Sequence, residues 1–121
     1  MNEKVEEEGK SWTSRMCLYK LENMLAICRL FMGDFKEAFF IFKTLETKEE
    51  KLMPHWKNSN EEEAQNELAA RYFFSGITLY EMKDLEPSKK NFIHAKKIFK
   101  KIGNEKYKNH CDEYLQKLIE L

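Results

Sequence analysis

The chain has 121 residues, 42% of them hydrophobic and 35% charged, with only 4 Gly and 2 Pro. That length fits one domain with a real core, and the balance excludes disordered and collagen-like classes. The 21 basic and 21 acidic residues cancel to a net charge of zero, so wholesale attraction to nucleic acid is not expected.

The opening Met-Asn-Glu-Lys-Val-Glu-Glu-Glu is acidic and has no apolar h-region, so it does not read as a secretory signal. Residues 1–10 read as a weakly helical, flexible lead-in interrupted by Gly9, ahead of a single domain over 11–121. Ser11 offers an N-cap for a first helix, in which Trp12, Met16, Tyr19, Leu21, Leu25, Cys28 and Met32 recur at mostly three- and four-residue steps, stacked along one helical side as an apolar stripe. Gly33-Asp34 ends it, glycine supplying the left-handed cap and Asp34 opening the next helix.

The second helix carries Phe35, Ala38, Phe39, Phe42 and Leu45 and is expected to stop before Pro54. Residues 54–60 read as a loop, and Ser59 or Asn60 caps a third helix whose first turn holds Glu61, Glu62 and Glu63 at the positive end of the dipole. Its stripe is Ala64, Leu68, Tyr72, Gly76 and Leu79, with Phe73, Ile77 and Tyr80 on a second side. Lys83-Asp84 makes the next turn, and Pro87 falls in the first turn of a fourth helix. Leu85, Ser88, Phe92, Ala95, Phe99 and Ile102 form that helix's stripe. After Gly103-Asn104, a fifth helix turns Tyr107, Cys111, Tyr114, Leu115 and Leu118 inward. The expectation is all-α, with about five helices and no strand. No apolar run approaches the roughly 18 residues of a membrane span.

Two stretches superimpose in sequence. Gly33-Asp34-Phe35-Lys36-Glu37-Ala38, followed by Phe42 and Leu45, matches Lys83-Asp84-Leu85-Glu86-Pro87-Ser88, followed by Phe92 and Ala95. Upstream, Leu25-Ala26 stands where Ser75-Gly76 stands in the second copy. This pattern resembles the tetratricopeptide repeat (TPR), with a small residue midway along helix A, a Gly-Asp-aromatic turn, then a small residue, an aromatic and an alanine along helix B. The resemblance implies antiparallel helix hairpins stacked as a short right-handed superhelix: a repeat at 19–46, an insertion at 47–63, a repeat at 64–102 and a capping helix at 104–121. The two copies lie fifty positions apart rather than the roughly 34 of a standard repeat, and Glu22 and Arg29 stand where the family usually has large apolar residues.

The resemblance also implies a non-enzymatic adaptor whose concave, apolar groove takes a peptide or partner helix. Carried over by offset, the contacts are Asn23, Ile27 and Leu30 from the first repeat and Phe73, Ile77 and Tyr80 from the second. A two-carboxylate clamp is not implied, because Ile27, Ala70 and Phe74 replace the lysines and asparagines it needs. The alternative partner is nucleic acid or an anionic surface, met by the lysine-rich face of residues 89–108, with Lys89, Lys90, Lys96, Lys97, Lys100 and Lys101.

No catalytic motif emerges. His110 and Cys111 are adjacent and so project about 100° apart on a helix, and His55 and His94 lack partners at ligand spacing, so no metal or cofactor is expected. Cys17 and Cys28 share a helix side but cannot touch, and simple buried packing is the expectation for them. Three unpaired cysteines fit a reduced, intracellular and cytoplasmic setting. Leu118 and Leu121 near the terminus leave room for self-association.

Overall fold

The computed structural model describes the backbone of residues 2–56 and 61–121 and the side chains of 14–52 and 62–121. It contains α1 (Asn2–Phe31), α2 (Phe35–Trp56), α3 (Glu61–Glu81), α4 (Leu85–Lys101) and α5 (Glu105–Glu120), and no strand among the described residues. Consecutive helices run antiparallel. Tyr19 and Glu22 of α1 meet Glu49 and Lys48 of α2, Gly76 of α3 meets Phe92 and Ser88 of α4, and Lys96 of α4 meets Asp112 of α5.

Three of the turns are built alike, which explains why the sequence repeats there. In each, the amide two residues past the cap donates to the carbonyl five residues back, and the amide before it to the carbonyl three back. Asp34 donates to Arg29 at 2.9 Å, Asp84 to Leu79 at 2.9 Å and Asn104 to Phe99 at 2.8 Å. This is the Schellman closure, which needs a left-handed residue at its centre. Gly33 (φ 82°) and Gly103 (φ 78°) supply it without a Cβ penalty, whereas Lys83 adopts φ 63°. Lys83→Gly is therefore expected to stabilise the fold by about 0.5–1 kcal/mol, read as a higher urea midpoint at unchanged m-value. After the turn, Asp34 Oδ1 accepts from the Glu37 amide (3.4 Å) and Asn104 Oδ1 from the Tyr107 amide (3.3 Å). Asp84 makes no such side-chain bond.

Small residues set how closely the helices approach. Ala26 of α1 and Ala38 of α2 are wholly buried in the same cluster. At the matching place in the second hairpin, a Cβ on Gly76 would lie 3.0 Å from the buried Phe92 ring, and Ser88 Oγ donates to the Gly76 carbonyl at 2.8 Å. Helix α3 is the central element, and two clusters meet along it. One gathers Tyr19, Leu30, Phe42, Leu45, Leu52 and Leu68. The other gathers Phe73, Phe92, Phe99 and Cys111, with Tyr107, Tyr114, Leu115 and Leu118 of α5 packed against it. Tyr72, Phe74, Ile77 and Ile98 touch both. The stripes expected for α2, α4 and α5 are the ones that pack.

The structure corrects three boundary or packing expectations. Helix α1 passes through Gly9 and Ser11, so Ser11 is not its N-cap. One glycine costs a helix only about 1 kcal/mol, and the glutamates and lysines around it are good helix formers. Helix α2 continues through Pro54 to Trp56, so the i→i−4 bond that Pro54 cannot donate is lost only in the last turn, where few bonds follow it. The proposed caps Ser59 and Asn60 and the packing of Trp12 lie outside the described residues.

The third correction concerns the core face of α1. Met16 and Tyr19 pack inward as expected, but Leu21, Leu25, Cys28 and Met32 are exposed. The face turned to α2 and α3 is instead Tyr19, Asn23, Ala26 and Leu30, all buried. Two physical needs select it. Ala26, wholly buried, leaves room for the helices packed on this face, and Asn23 reaches α3, where its Nδ2 donates to Glu67 Oε1 at 3.0 Å.

Candidate functional site

With its inner face so occupied, α1 turns a second apolar face outward. Leu18, Leu21, Met24, Leu25, Phe31 and Met32 are between 48 and 75% exposed. Cys17 and Cys28 are exposed on the same side. At 100° per residue, these eight positions span an arc of roughly 140°. Within residues 16–32 no charged residue is among the exposed ones. A helix that is apolar on both sides belongs to a buried environment, yet here one side faces solvent. Exposed apolar patches of this kind mark interaction sites. The sequence signal was present, since residues 16–32 carry apolar residues around most of the helix circumference. Reading a single stripe missed Leu18 and Met24 altogether.

The six groove residues do not form one accessible surface. Asn23, Leu30 and Phe73 are buried and serve the core. Phe73 alone packs edge-on against Phe74, Phe92, Phe99, Tyr107 and Tyr114. Ile27 and Ile77 are half-buried against the same clusters. Tyr80 is half-buried, with its ring 5.6 Å from that of Tyr114. Offsets borrowed from a repeat thus picked positions that are mostly interior in this chain.

Beneath α1 lies a buried polar network that periodicity gave no reason to expect. Arg71 of α3 donates from Nε to Glu49 Oε2 (2.6 Å) and from Nη2 to Glu49 Oε1 (2.7 Å). Tyr19 Oη donates to Glu49 Oε2 at 2.7 Å. All three side chains are buried. Burial alone would lower the Arg71 pKa, but its bonds to Glu49 outweigh that and hold it above the ordinary value. Burial, and then the Glu49 carboxylate, push the Tyr19 hydroxyl well above the usual tyrosine range, so it remains a donor. The Arg71 guanidinium also lies 4.0 Å from the Tyr72 ring centroid, and that ring stacks on His94 at 5.0 Å. This network ties α1, α2 and α3 together and is closed to solvent, so its part is structural. Nearer the surface, Lys48 pairs with Glu22 (2.8 Å) and Lys20 with Glu63. The ion pair to Lys48 accounts for Glu22 at a place where the repeat pattern has an apolar residue.

On α4, Lys89, Lys90, Lys97, Lys100 and Lys101 are exposed. Lys96 is engaged, reaching Asp112 of α5 at 2.6 Å, and Lys108 meets the same carboxylate at 3.2 Å. The Lys96 hydrogen bond is the largest cause holding the Asp112 carboxyl below its ordinary value, against a partial opposing effect of burial. A folded-state pKa below the unfolded one gives stability that is present above the ordinary carboxylate range and lost as pH falls through the lowered value. The pair is more than a third exposed, so screening limits it to about 0.2–1 kcal/mol. The stability gap between wild type and Asp112→Asn is expected to close between pH 6 and about pH 3, as followed by urea titrations.

Of the cysteines, Cys111 is buried and its thiol is pushed up to about 12 by burial and the nearby Asp112, which makes it a poor nucleophile. Cys17 and Cys28 are exposed, contrary to the expectation of packing. Among the described residues no three His, Cys, Asp or Glu side chains are placed to hold a metal ion. No helix there is long and apolar enough to cross a membrane.

No protein-family model, curated protein or solved structure matches this chain.

Proposed function

We propose that this protein is a non-enzymatic protein–protein interaction module of TPR-like build, an adaptor whose contact surface is the outer face of α1. The observation that carries this reading is the uncharged apolar arc from Leu18 to Met32. It sits on a helix whose other side is already fixed by Tyr19, Asn23 and Ala26. Covering such a face removes apolar area from water without burying a charge, which is the favourable half of an interface core. The shared Schellman turns and the small residues at Ala26, Ala38, Gly76 and Ser88 support the repeat-like part of the reading. The interface proposed here differs from the concave groove implied by the repeat pattern, because half of the groove residues are buried.

A role for the α4 lysines in binding nucleic acid or an anionic surface has weaker support. Lys96 is paired with Asp112, and no arginine is interleaved with the others. The discriminating experiment is quantitative affinity capture with wild type and the variant Leu21→Glu/Leu25→Glu. A specific set of proteins, bound by wild type, absent from the variant and insensitive to moderate salt, supports the α1 interface. Identical captures from a monomeric wild type, or captures that vanish with salt and with Lys97→Glu/Lys100→Glu, overturn it.

A further inference from the structure

Resting on the reading of α1 as an interface, we infer that the occupant of its outer face is a second copy of this chain, packed helix to helix and antiparallel. Three features of the molecule point to that partner. With exposures of 48 to 75%, the six large apolar side chains present on the order of 700 Å², close to the roughly 800 Å² per partner of a standard interface. Covered on both copies, that area alone falls at the low end of a standard interface. It carries no charge, so it offers nothing to a charged partner and nothing that repels itself, and the chain's net charge of zero leaves no long-range repulsion between copies.

The arrangement of the stripe is also symmetric about its own midpoint. A two-fold axis between residues 24 and 25 brings Leu21 level with Cys28 of the other copy, Met24 level with Leu25, and Leu18 level with Phe31. A symmetric dimer must be self-complementary in this way, since the same patch is used twice. Leu21 and Cys28 lie nearest the centre line of the arc, so they form the two inner layers of the seam. A parallel pair would instead set each residue against its own copy, placing Cys28 beside Cys28.

Sedimentation equilibrium across micromolar concentrations, combined with oxidative cross-linking, tests both parts. Wild type is expected to sediment at twice the 14.6 kDa chain mass, and Leu21→Glu/Leu25→Glu at the chain mass with unchanged helical circular dichroism. After oxidation, Cys17→Ser/Leu21→Cys should give a covalent dimer through residue 21 and Cys28, and Cys17→Ser alone should not. Three results overturn the proposal: a wild-type monomer throughout, a continuous series of larger species, or a dimer that survives the double glutamate variant. Cross-linking of Cys17→Ser alone overturns the antiparallel arrangement. A monomeric wild type whose protein captures still depend on Leu21 and Leu25 would remove the second copy and leave the interface reading standing. Monomers with no such captures remove both.

Discussion

Arg71→Met is expected to destabilise the protein by about 3–5 kcal/mol, the range for removing one partner of a buried ion pair. The reason lies in what remains. Glu49 would keep a buried carboxylate with Tyr19 as its surviving donor in this network, and the desolvation that Arg71 offsets through two hydrogen bonds would no longer be balanced. Against a total stability of 5–15 kcal/mol, this loss corresponds to a drop in Tm of roughly 10–20 °C for a domain of this size. Tyr19→Phe removes one bond to a charged acceptor and should cost less, about 1.5–3 kcal/mol. Replacing the group together, Tyr19→Phe with Glu49→Leu and Arg71→Met, is expected to recover most of the loss, since an apolar set of similar shape leaves no orphaned charge. Urea unfolding of the three variants decides the matter. A triple variant no better than Arg71→Met would contradict this account of the network.

The second large effect is at the contact between α3 and α4. Phe92 is wholly buried, lies over Gly76 and stacks on Tyr114 at 4.8 Å. Phe92→Ala should therefore cost about 3–5 kcal/mol through lost burial and the cavity left behind. Gly76→Ala sets two effects against each other. Helix propensity favours alanine by up to about 1 kcal/mol, but the new Cβ meets the Phe92 ring at 3.0 Å, and overpacking of that kind costs about 1–3 kcal/mol. Phe92 is wholly buried and held by the stacked Tyr114 ring and the Phe73 edge, so the clash is expected to win and the variant to be less stable. The same Gly76→Ala change made in Phe92→Leu, where the ring edge is gone, should be neutral or stabilising. A double-mutant cycle by chemical denaturation reads this coupling directly. Additivity would mean that the approach of α3 to α4 is not set by this pair.

The helix count, the turns at Gly33, Lys83 and Gly103, and the packing stripes of α2, α4 and α5 were all legible in the sequence. Each rests on a local signal: a left-handed cap, an N-cap oxygen, or one apolar side set against a charged one. Helix α1 defeated the same method because it has two apolar sides. Its core side contains Tyr19, Asn23 and Ala26, so the more hydrophobic stripe of Leu21, Leu25 and Met32 looked like the interior. Only the three-dimensional partners, Glu49 and Glu67, reveal which side is held. The buried Arg71–Glu49 pair was illegible for a related reason. Its members lie on different helices, and a charged residue on an apolar stripe gives no hint of a partner 22 positions away. Transferred repeat offsets failed at Asn23, Leu30 and Phe73, since a repeat pattern fixes helix positions without fixing how deeply each is covered.

The division of α1 into an inner face that holds the fold and an outer face that binds is tested most directly by one titration. The urea midpoint is measured over a hundredfold range of protein concentration for wild type and for Leu21→Glu/Leu25→Glu. Association coupled to folding raises the wild-type midpoint with concentration, while the variant's midpoint should stay flat and equal the wild-type value at the lowest concentration. A wild-type midpoint that does not move would contradict a second copy on the outer face, and a variant several kcal/mol weaker at high dilution would contradict the division itself.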